Sequence, residues 1–198
     1  KELSAKGSGR MFGAPANFSF EKEGKSDINA VMSVLLDDQA RQKLGWSTGS
    51  RLTGPVAMKI SGPLGRPETL QGSVEFDLTR TAIAEMAPGL GKPAGRPAKA
   101  TFTLAHRNES TTLQNFNYQA GSTSARGTIE LDKKGAFVSA NLSSLKLSPG
   151  DDLAADISAA AGNLQVNLRG PVIDMRPFIQ AMTAPRSAEE GGGDPANR

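Results

Sequence analysis

Apolar and polar residues alternate along many short stretches of this chain. Three sets of alternate apolar positions show the pattern most clearly: Val56, Met58 and Ile60; Val74, Phe76 and Leu78; and Ala100, Phe102 and Leu104. Because successive side chains of a β-strand point to opposite faces, each stretch predicts a strand with one apolar and one polar face. Strands of this kind that follow one another closely predict a large antiparallel sheet with a continuous apolar surface.

Further short strands are predicted on both sides of these three. The alternation places strands at 16–21, 28–36, 54–61, 70–79, 98–106, 112–120, 123–131, 135–142 and 163–169. The short intervals between them are typical of an antiparallel meander. The stretch 143–162 is ambiguous, because Leu145 and Leu147 alternate whereas the Ala-rich part from Asp151 to Gly162 fits either a loop or a weak helical turn.

Helical patterns interrupt the strands at two places. Asp37 or Asp38 can cap a short helix that ends before Gly45, and Asp174 can cap a second one at 175–182. Aspartate favours a helix start because its carboxylate accepts an otherwise unpaired backbone N–H. The predicted fold is therefore mainly β, a large curved antiparallel β-sheet that is groove-like or sandwich-like, with two or three short helices.

The 198 residues are enough for one domain or for one segment of a larger protein. Residues 1–15 are predicted to be a flexible lead-in, because the start is charged and rich in Gly and Ser. Residues 16–183 form a single β-rich segment, and residues 184–198 form a disordered tail that has little apolar surface to bury. We expect the chain to be an interior piece of a longer protein, with any export signal outside it.

Composition and charge argue against several classes of function. The net charge is only +3, the Lys and Arg residues are scattered, and there is one Trp and one Tyr, so nucleic-acid binding is not expected. The absence of cysteine excludes disulfides and thiolate metal sites. No stretch approaches the roughly 20 apolar residues of a membrane-spanning helix.

One segment matches an esterase motif by its letters alone. Gly45 to Gly49 reads G-x-S-x-G, but a nucleophile elbow needs a strand before the serine and a helix after it. Here a helix is predicted before the motif and a strand after it, and the chain's single histidine, His106, falls at a strand end. We therefore predict that the glycines turn the chain and that Trp46 anchors it in the apolar layer.

The acidic and phosphate-loop patterns are equally weak. The pairs Asp37-Asp38 and Asp151-Asp152 predict a helix cap and a solvated turn, and Gly91-Lys92 lacks the first glycine of a phosphate loop. Two distant carboxylates can still meet in a folded glycosidase, but nothing in the sequence selects such a pair. The prediction is a chain without catalytic residues, metal or cofactor.

Three stretches of the sequence resemble a known family. The turn Lys92-Pro93-Ala94-Gly95-Arg96-Pro97-Ala98 before an alternating strand, the layout of 54–79, and the close at 170–178 are similar to AsmA-like proteins. The resemblance is strongest to the DUF3971-containing, YhdP-type proteins of Gram-negative bacteria, and it covers about 50–182.

The resemblance implies both a location and a function. AsmA-like proteins are anchored in the inner membrane by an N-terminal helix and extend through the periplasm as long curved β-sheets with an apolar groove. They are thought to conduct phospholipids toward the outer membrane or to influence its assembly. By this resemblance the chain would be a periplasmic segment of an inner-membrane-anchored protein, with phospholipid acyl chains and the flanking β segments of the same protein as partners.

The alternating apolar positions then become candidates for a lipid-binding surface. Each acyl methylene buried against such a surface gains roughly 0.8 kcal/mol. The predicted lining residues are Val56, Met58, Ile60, Val74, Phe76, Leu78, Phe102, Leu104, Phe116, Ile129, Leu131, Val138 and Val166. The same residues would equally form the closed core of a β-sandwich, and the sheet edges of a structural or adaptor module could instead pair with partner proteins.

Overall fold

The computed structural model describes residues 2–46, 51–64, 71–85, 89–107, 110–160 and 163–183. Its strands are β1 (Leu3–Met11), β2 (Ala14–Lys22), β3 (Asn29–Leu36), β4 (Leu52–Thr53), β5 (Val56–Pro63), β6 (Gln71–Asp77), β7 (Ala82–Ile83), β8 (Lys99–Arg107), β9 (Ser110–Ala120), β10 (Thr123–Asp132), β11 (Phe137–Lys146), β12 (Asp152–Ala160) and β13 (Asn163–Val172). Two short helices complete it, α1 (Asp38–Lys43) and α2 (Arg176–Thr183).

Eleven of these strands form a single antiparallel sheet. They lie in the order β1-β2-β3-β5-β6-β8-β9-β10-β11-β12-β13, and β4 pairs with β7 in a separate two-stranded sheet. Each strand of the large sheet pairs with the next one along it, and the two ends of the sheet do not pair with each other. The prediction of a mainly β chain with one large antiparallel sheet and short helices is confirmed, and the sheet is open.

The predicted flexible lead-in is wrong for most of its length. Leu3–Met11 pairs with β2 in continuous register, from Leu3 opposite Lys22 to Met11 opposite Ala14. Nearly every residue of β1 is exposed, so main-chain hydrogen bonds rather than apolar burial hold this strand. Its Gly- and Ser-rich sequence therefore carries no alternation from which a strand could be predicted. The predicted tail at 184–198 lies outside the described residues.

The ambiguous stretch also forms strands. β11 continues to Lys146, and Asp152–Ala160 forms β12, so neither a loop nor a helical turn occupies this Ala-rich part. Ala155 is 1% exposed and Leu153 is 5% exposed. Burial of these two side chains, and not intrinsic strand preference, therefore accounts for a strand in this stretch.

Helix α1 forms where the sequence predicted it. The Asp37 carboxylate accepts the backbone N–H of Ala40 at 2.8 Å, and Gly45 follows the helix with φ of +81°. A positive φ of this kind favours glycine, because a Cβ would crowd the backbone. Asp37 is therefore the cap, and Gly45 is the stop.

A buried arginine attaches α1 to the chain that follows it. Arg41 is 2% exposed, and its guanidinium donates to the carbonyls of Leu52 and Gly54 and pairs with Asp38. These bonds satisfy both terminal nitrogens of the buried guanidinium, as its burial requires, while its Nε has no partner among the described residues. They fix α1 above the start of β5.

A buried aspartate, Asp151, attaches the segment before α2 to the end of β11. Asp151 is 2% exposed, and its carboxylate accepts the backbone N–H groups of Leu147, Ser148 and Asp174 at 3.1, 2.7 and 2.7 Å. The predicted solvated turn at Asp151-Asp152 is therefore wrong at Asp151, because three main-chain donors enclose its carboxylate. They hold the end of β11 against the segment that leads into α2.

Candidate functional site

One side of the large sheet is apolar from edge to edge. Facing positions across five strands are Phe18, Met32, Ile60, Val74 and Phe102, and across the next five they are Phe116, Gly127, Leu142, Ala155 and Leu168. The rings of Phe102 and Phe116 stack where the pairing of β8 with β9 is irregular, which joins the two rows. We call this side the apolar face. The opposite side carries polar residues, with an ion pair between Lys99 and Glu75 at 2.9 Å and another between Arg169 and Asp156.

Exposure changes along the strands of the apolar face. At one end, which we call the closed end, the paired residues Val34 and Met58 are 4% and 5% exposed. The row of Met58 continues to Ala100 of β8. Four residues further along β8, Leu104 faces Leu113 of β9 and Ile129 of β10, and these three residues, which we call the open end, are only half-buried. The face therefore passes from a buried core into a half-buried apolar region.

The closed end is covered by parts of the chain that lie outside the large sheet. Ala40 and Leu44 of the α1 region pack into the cluster that contains Val34 and Met58. Leu90 and Phe178 pack against a second cluster, which contains Leu145, Leu147 and Leu153. A third cluster contains Val56, Leu78, Ala98 and Ala100, with Leu52 and Ile83 packed against it.

Four aromatic rings cross the middle of the apolar face. Trp46 meets Phe76 edge-on with ring centroids 5.6 Å apart, Phe76 lies 5.7 Å from Phe102, and Phe102 stacks on Phe116 at 6.5 Å. Separations of this size are typical of favourable ring pairs. Trp46 is 38% exposed and sits on the face, as predicted for an anchor of the apolar layer.

The structure brings most of the predicted lining residues together. Val56, Met58, Val74, Leu78 and Phe102 are buried in the clusters. A second group is half-buried on the same face: Ile60, Phe76, Leu104, Phe116, Ile129 and Leu131. Val166 shares the face but lies on the edge strand β13 and is 56% exposed.

Val138 is the one predicted lining residue that the pairing displaces. A register shift after Glu130 places Leu131 opposite Phe137, and Phe137 packs against the cluster. Val138 is 41% exposed and belongs to no cluster. A bulge of this kind changes which side chain faces the core, and strict alternation cannot anticipate it.

Sequence reasoning also missed part of the closed end. The missed residues that are buried there include Ala14, Ala16, Leu36, Ala125, Leu142, Leu145, Leu147, Leu153 and Ala155. The period-two spacing of Leu145 and Leu147 was a usable signal. The alanines gave no such signal, because alanine differs little in hydrophobicity from the small polar residues beside it.

Three ionisable groups in or beside the sheet have shifted pKa values: Lys92, Tyr118 on the apolar face, and Asp77 on the polar side. Burial lowers the pKa of Lys92 below 10.5 despite the opposing charge of Asp77, and its ammonium donates to the carbonyls of Thr81 and Pro93. Burial on the face raises the pKa of Tyr118 above 10.0. Hydrogen bonds from the hydroxyl and the backbone N–H of Thr79 lower the pKa of Asp77 below 3.8.

The chain's single histidine, His106, lies opposite Thr111 of the neighbouring strand. The ring Nδ1 of His106 lies 2.9 Å from the Thr111 hydroxyl, and no three His, Asp or Glu side chains of the described part of the chain group as metal ligands. The serine of the esterase-like letters lies outside the described residues, between α1 and β4. No helix in the described ranges is long and apolar enough to span a membrane.

Comparisons of this chain with protein-family models, with curated proteins and with solved structures find no match. The resemblance to AsmA-like proteins therefore stays a prediction, and any functional proposal depends on the geometry of the apolar face.

Proposed function

We propose that this chain is a non-catalytic periplasmic segment of an AsmA-like protein, in which the apolar face takes part in phospholipid transport between the inner and outer membranes. The observation that supports this most directly is the change of exposure along the face. A closed protein core would bury the apolar residues at both ends, whereas here Leu104, Leu113 and Ile129 stay only half-buried at one end. Apolar residues that stay partly exposed together on one face are a common sign of a binding site.

Acyl chains fit the chemistry of the open end. Each methylene that leaves water for an apolar surface gains about 0.8 kcal/mol, so ten buried methylenes gain about 8 kcal/mol. The facing residues Leu104, Leu113 and Ile129 are aliphatic, and no charged side chain lies between them in the pairing. A surface without polar anchors would let the acyl chains slide while the headgroups remain in water.

The experiment compares lipid bound to matched variants of the two sheet faces. The double variant Leu104→Asp/Ile129→Asp places two carboxylates on the open end of the apolar face. The control Thr103→Asp/Thr128→Asp places them at the neighbouring positions, on the opposite face of the same two strands. Each protein is expressed with an export signal in a Gram-negative host, checked by circular dichroism, and extracted for phospholipid mass spectrometry.

We expect phospholipid in the wild type and in the control, and at least a tenfold loss in the apolar-face variant with an unchanged spectrum. A wild type without phospholipid, or equal loss in both folded variants, would contradict the proposal. If the apolar-face variant unfolds, the single variant Leu104→Gln, which removes apolar area without adding charge, replaces it.

A second function is favoured by the open sheet edges. Within the described residues, β1 and β13 each pair on one side only. Unpaired strand edges can accept a further strand from a partner. In this alternative the chain is an adaptor module in outer-membrane assembly, joined through its edges to flanking β segments of the same protein or to other proteins. A proline in an edge strand would then abolish partner binding without changing the lipid content.

A further inference from the structure

The two edges of the sheet differ in what they offer a partner. Strand β1 presents Gly7 and Gly9 on the apolar side and carries Lys6 and Arg10 on the other. Glycines provide no side chain for packing, and charges on an edge oppose further pairing. The edge at β1 is therefore poorly suited to accept a strand.

Strand β13 has the opposite character. All ten of its residues are exposed, and its apolar-side residues Leu164, Val166 and Leu168 are 65%, 56% and 36% exposed. Arg169 is the only charged residue of the strand, and it pairs with Asp156 of β12. An exposed and nearly uncharged strand with three large aliphatic side chains is a strong template for edge pairing.

Five residues of β13 are symmetric about Val166. Leu-Gln-Val-Asn-Leu at 164–168 has the same pattern of side chains in both directions, with Val166 in the middle. In an antiparallel pair of two such strands related by a two-fold axis at Val166, Leu164 of each copy lies opposite Leu168 of the other. Gln165 then lies opposite Asn167, so aliphatic groups meet on one face and amides meet on the other.

From this symmetry we infer that β13 pairs with β13 of a second copy of this chain, which joins two large sheets into one with a common apolar face. A two-fold interface of this kind uses the same surface on both subunits. The pairing places Arg169 opposite Asn163, so no like charges face each other. Pro171, which has no N–H to donate, falls outside the paired residues 163–169.

Other registers match less well. A shift by one residue places the leucines opposite amides and turns the apolar side of one copy toward the polar side of the other. A shift that centres the pair on Asn167 places Leu164 opposite Gly170, which has no side chain. The register centred on Val166 is the one that brings all three aliphatic residues into pairs.

The register is tested by single cysteines, since the chain has none of its own. In the inferred pair Val166 faces its own copy, and antiparallel partners have Cα atoms about 4.5–5.5 Å apart, within the range that a disulfide spans. Val166→Cys should therefore form a covalent dimer on mild oxidation. Leu164→Cys alone should not, but a mixture of Leu164→Cys with Leu168→Cys should form a mixed disulfide dimer.

The association itself is tested by light scattering on the whole chain. Over about 1 µM to about 1 mM, the range in which small interfaces assemble, the wild-type mass should rise toward twice the 20.7 kDa of one chain. Val166→Lys, which sets two ammonium groups face to face, should stay at the mass of one chain. Leu3→Lys, at a similarly exposed position of β1, should behave as the wild type.

A wild-type mass that stays at one chain throughout, or efficient cross-linking of Leu164→Cys but not Val166→Cys, would overturn the inference. Neither outcome depends on lipid, so this test and the lipid measurement can fail separately.

Discussion

Phe102 and Phe116 stack with their ring centroids 6.5 Å apart, across an irregularity in the pairing of β8 with β9. Phe116 also packs against all three buried clusters. The ring therefore connects the packing of the β2–β8 half of the sheet with that of the β10–β12 half. Its removal should weaken the sheet as a whole and not one cluster alone.

Phe116→Ala should lower the free energy of unfolding by about 2 kcal/mol, less than the roughly 3–5 kcal/mol of a fully buried phenylalanine, because the ring is half-buried. Urea denaturation followed by circular dichroism measures the change. Gln114→Ala, at an exposed position of the same strand, should change it by less than about 0.5 kcal/mol. Equal effects of the two variants would contradict the connecting role of Phe116.

A second prediction concerns Phe137 and Val138, which lie beside the bulge between β10 and β11. Phe137 packs against the cluster whereas Val138 is 41% exposed. Phe137→Ala should therefore cost about 2 kcal/mol of unfolding free energy, and Val138→Ala less than about 0.5 kcal/mol. The reverse order in urea denaturation would mean that strict alternation, not the bulge, sets the face of β11.

Gly127 is required by the close approach of β11. A Cβ on Gly127 would lie 2.0 Å from the carbonyl oxygen of Asn141, which belongs to the backbone and cannot rotate away. Overpacking of this kind typically costs about 1–3 kcal/mol, and we expect Gly127→Ala at or above the upper value.

Gly7 provides the matched control for Gly127. A Cβ there meets nothing within 4 Å. Gly7→Ala should be neutral, or stabilising by up to about 1 kcal/mol, because alanine restricts the unfolded chain. Thermal unfolding should give a lower midpoint for Gly127→Ala than for Gly7→Ala. Similar midpoints would exclude the steric explanation of Gly127.

Strands with large alternating apolar side chains could be predicted from the sequence, whereas strands rich in small side chains could not. Val56, Met58 and Ile60 define β5 because each is much more apolar than its neighbours. β1 lacks this contrast because Ala5, Gly7 and Gly9 lie on its apolar side, and in β12 it is weak because alanine stands on both sides, at Ala154 and Ala155. Their pairing depends on main-chain bonds and on neighbours that are distant in sequence.

The apolar face was predictable as a set of residues but not as a surface with two different ends. Alternation identified Met58, Phe76 and Leu104 equally, with no sign of how deeply each is buried. That difference arises because α1 and Leu90 cover only one end. Which part of a sheet a connection covers depends on tertiary packing, and no local pattern encodes it.

Asp151 provides a test of a buried polar group. Its two carboxylate oxygens accept three backbone N–H groups, from Leu147, Ser148 and Asp174. Asp151→Asn replaces one acceptor by an NH₂ donor, which leaves at least one buried N–H unpaired and should cost about 2 kcal/mol. Asp152→Asn, at the adjacent exposed position, should stay within about 0.5 kcal/mol in the same urea titration. A stable Asp151→Asn variant would mean that water replaces the lost acceptor.

Ionisation of Tyr118 should make the free energy of unfolding depend on pH in the alkaline range. It is the chain's one tyrosine, and burial raises its pKa above the 10.0 of an unfolded chain. Above pH 10.0 the unfolded phenol loses its proton before the folded one, so the folded state binds more protons and its stability falls as pH rises. The contribution of Tyr118 to the free energy of unfolding is complete below pH 10.0 and is lost as the pH rises through the raised pKa of the folded state. Absorbance of the phenolate should show a higher midpoint in buffer than in urea.

Comparison with Tyr118→Phe isolates this effect from the other alkaline titrations. Burial lowers the pKa of Lys92, so that residue makes stability rise with pH below 10.5, in the opposite direction. Lys92 is present in both proteins, and its contribution cancels when their unfolding free energies are subtracted at each pH. The difference should be constant up to about pH 10 and should then move in favour of Tyr118→Phe, which keeps the ring but cannot ionise. A difference that stays constant through pH 11 would show that the phenol reaches solvent in the folded sheet.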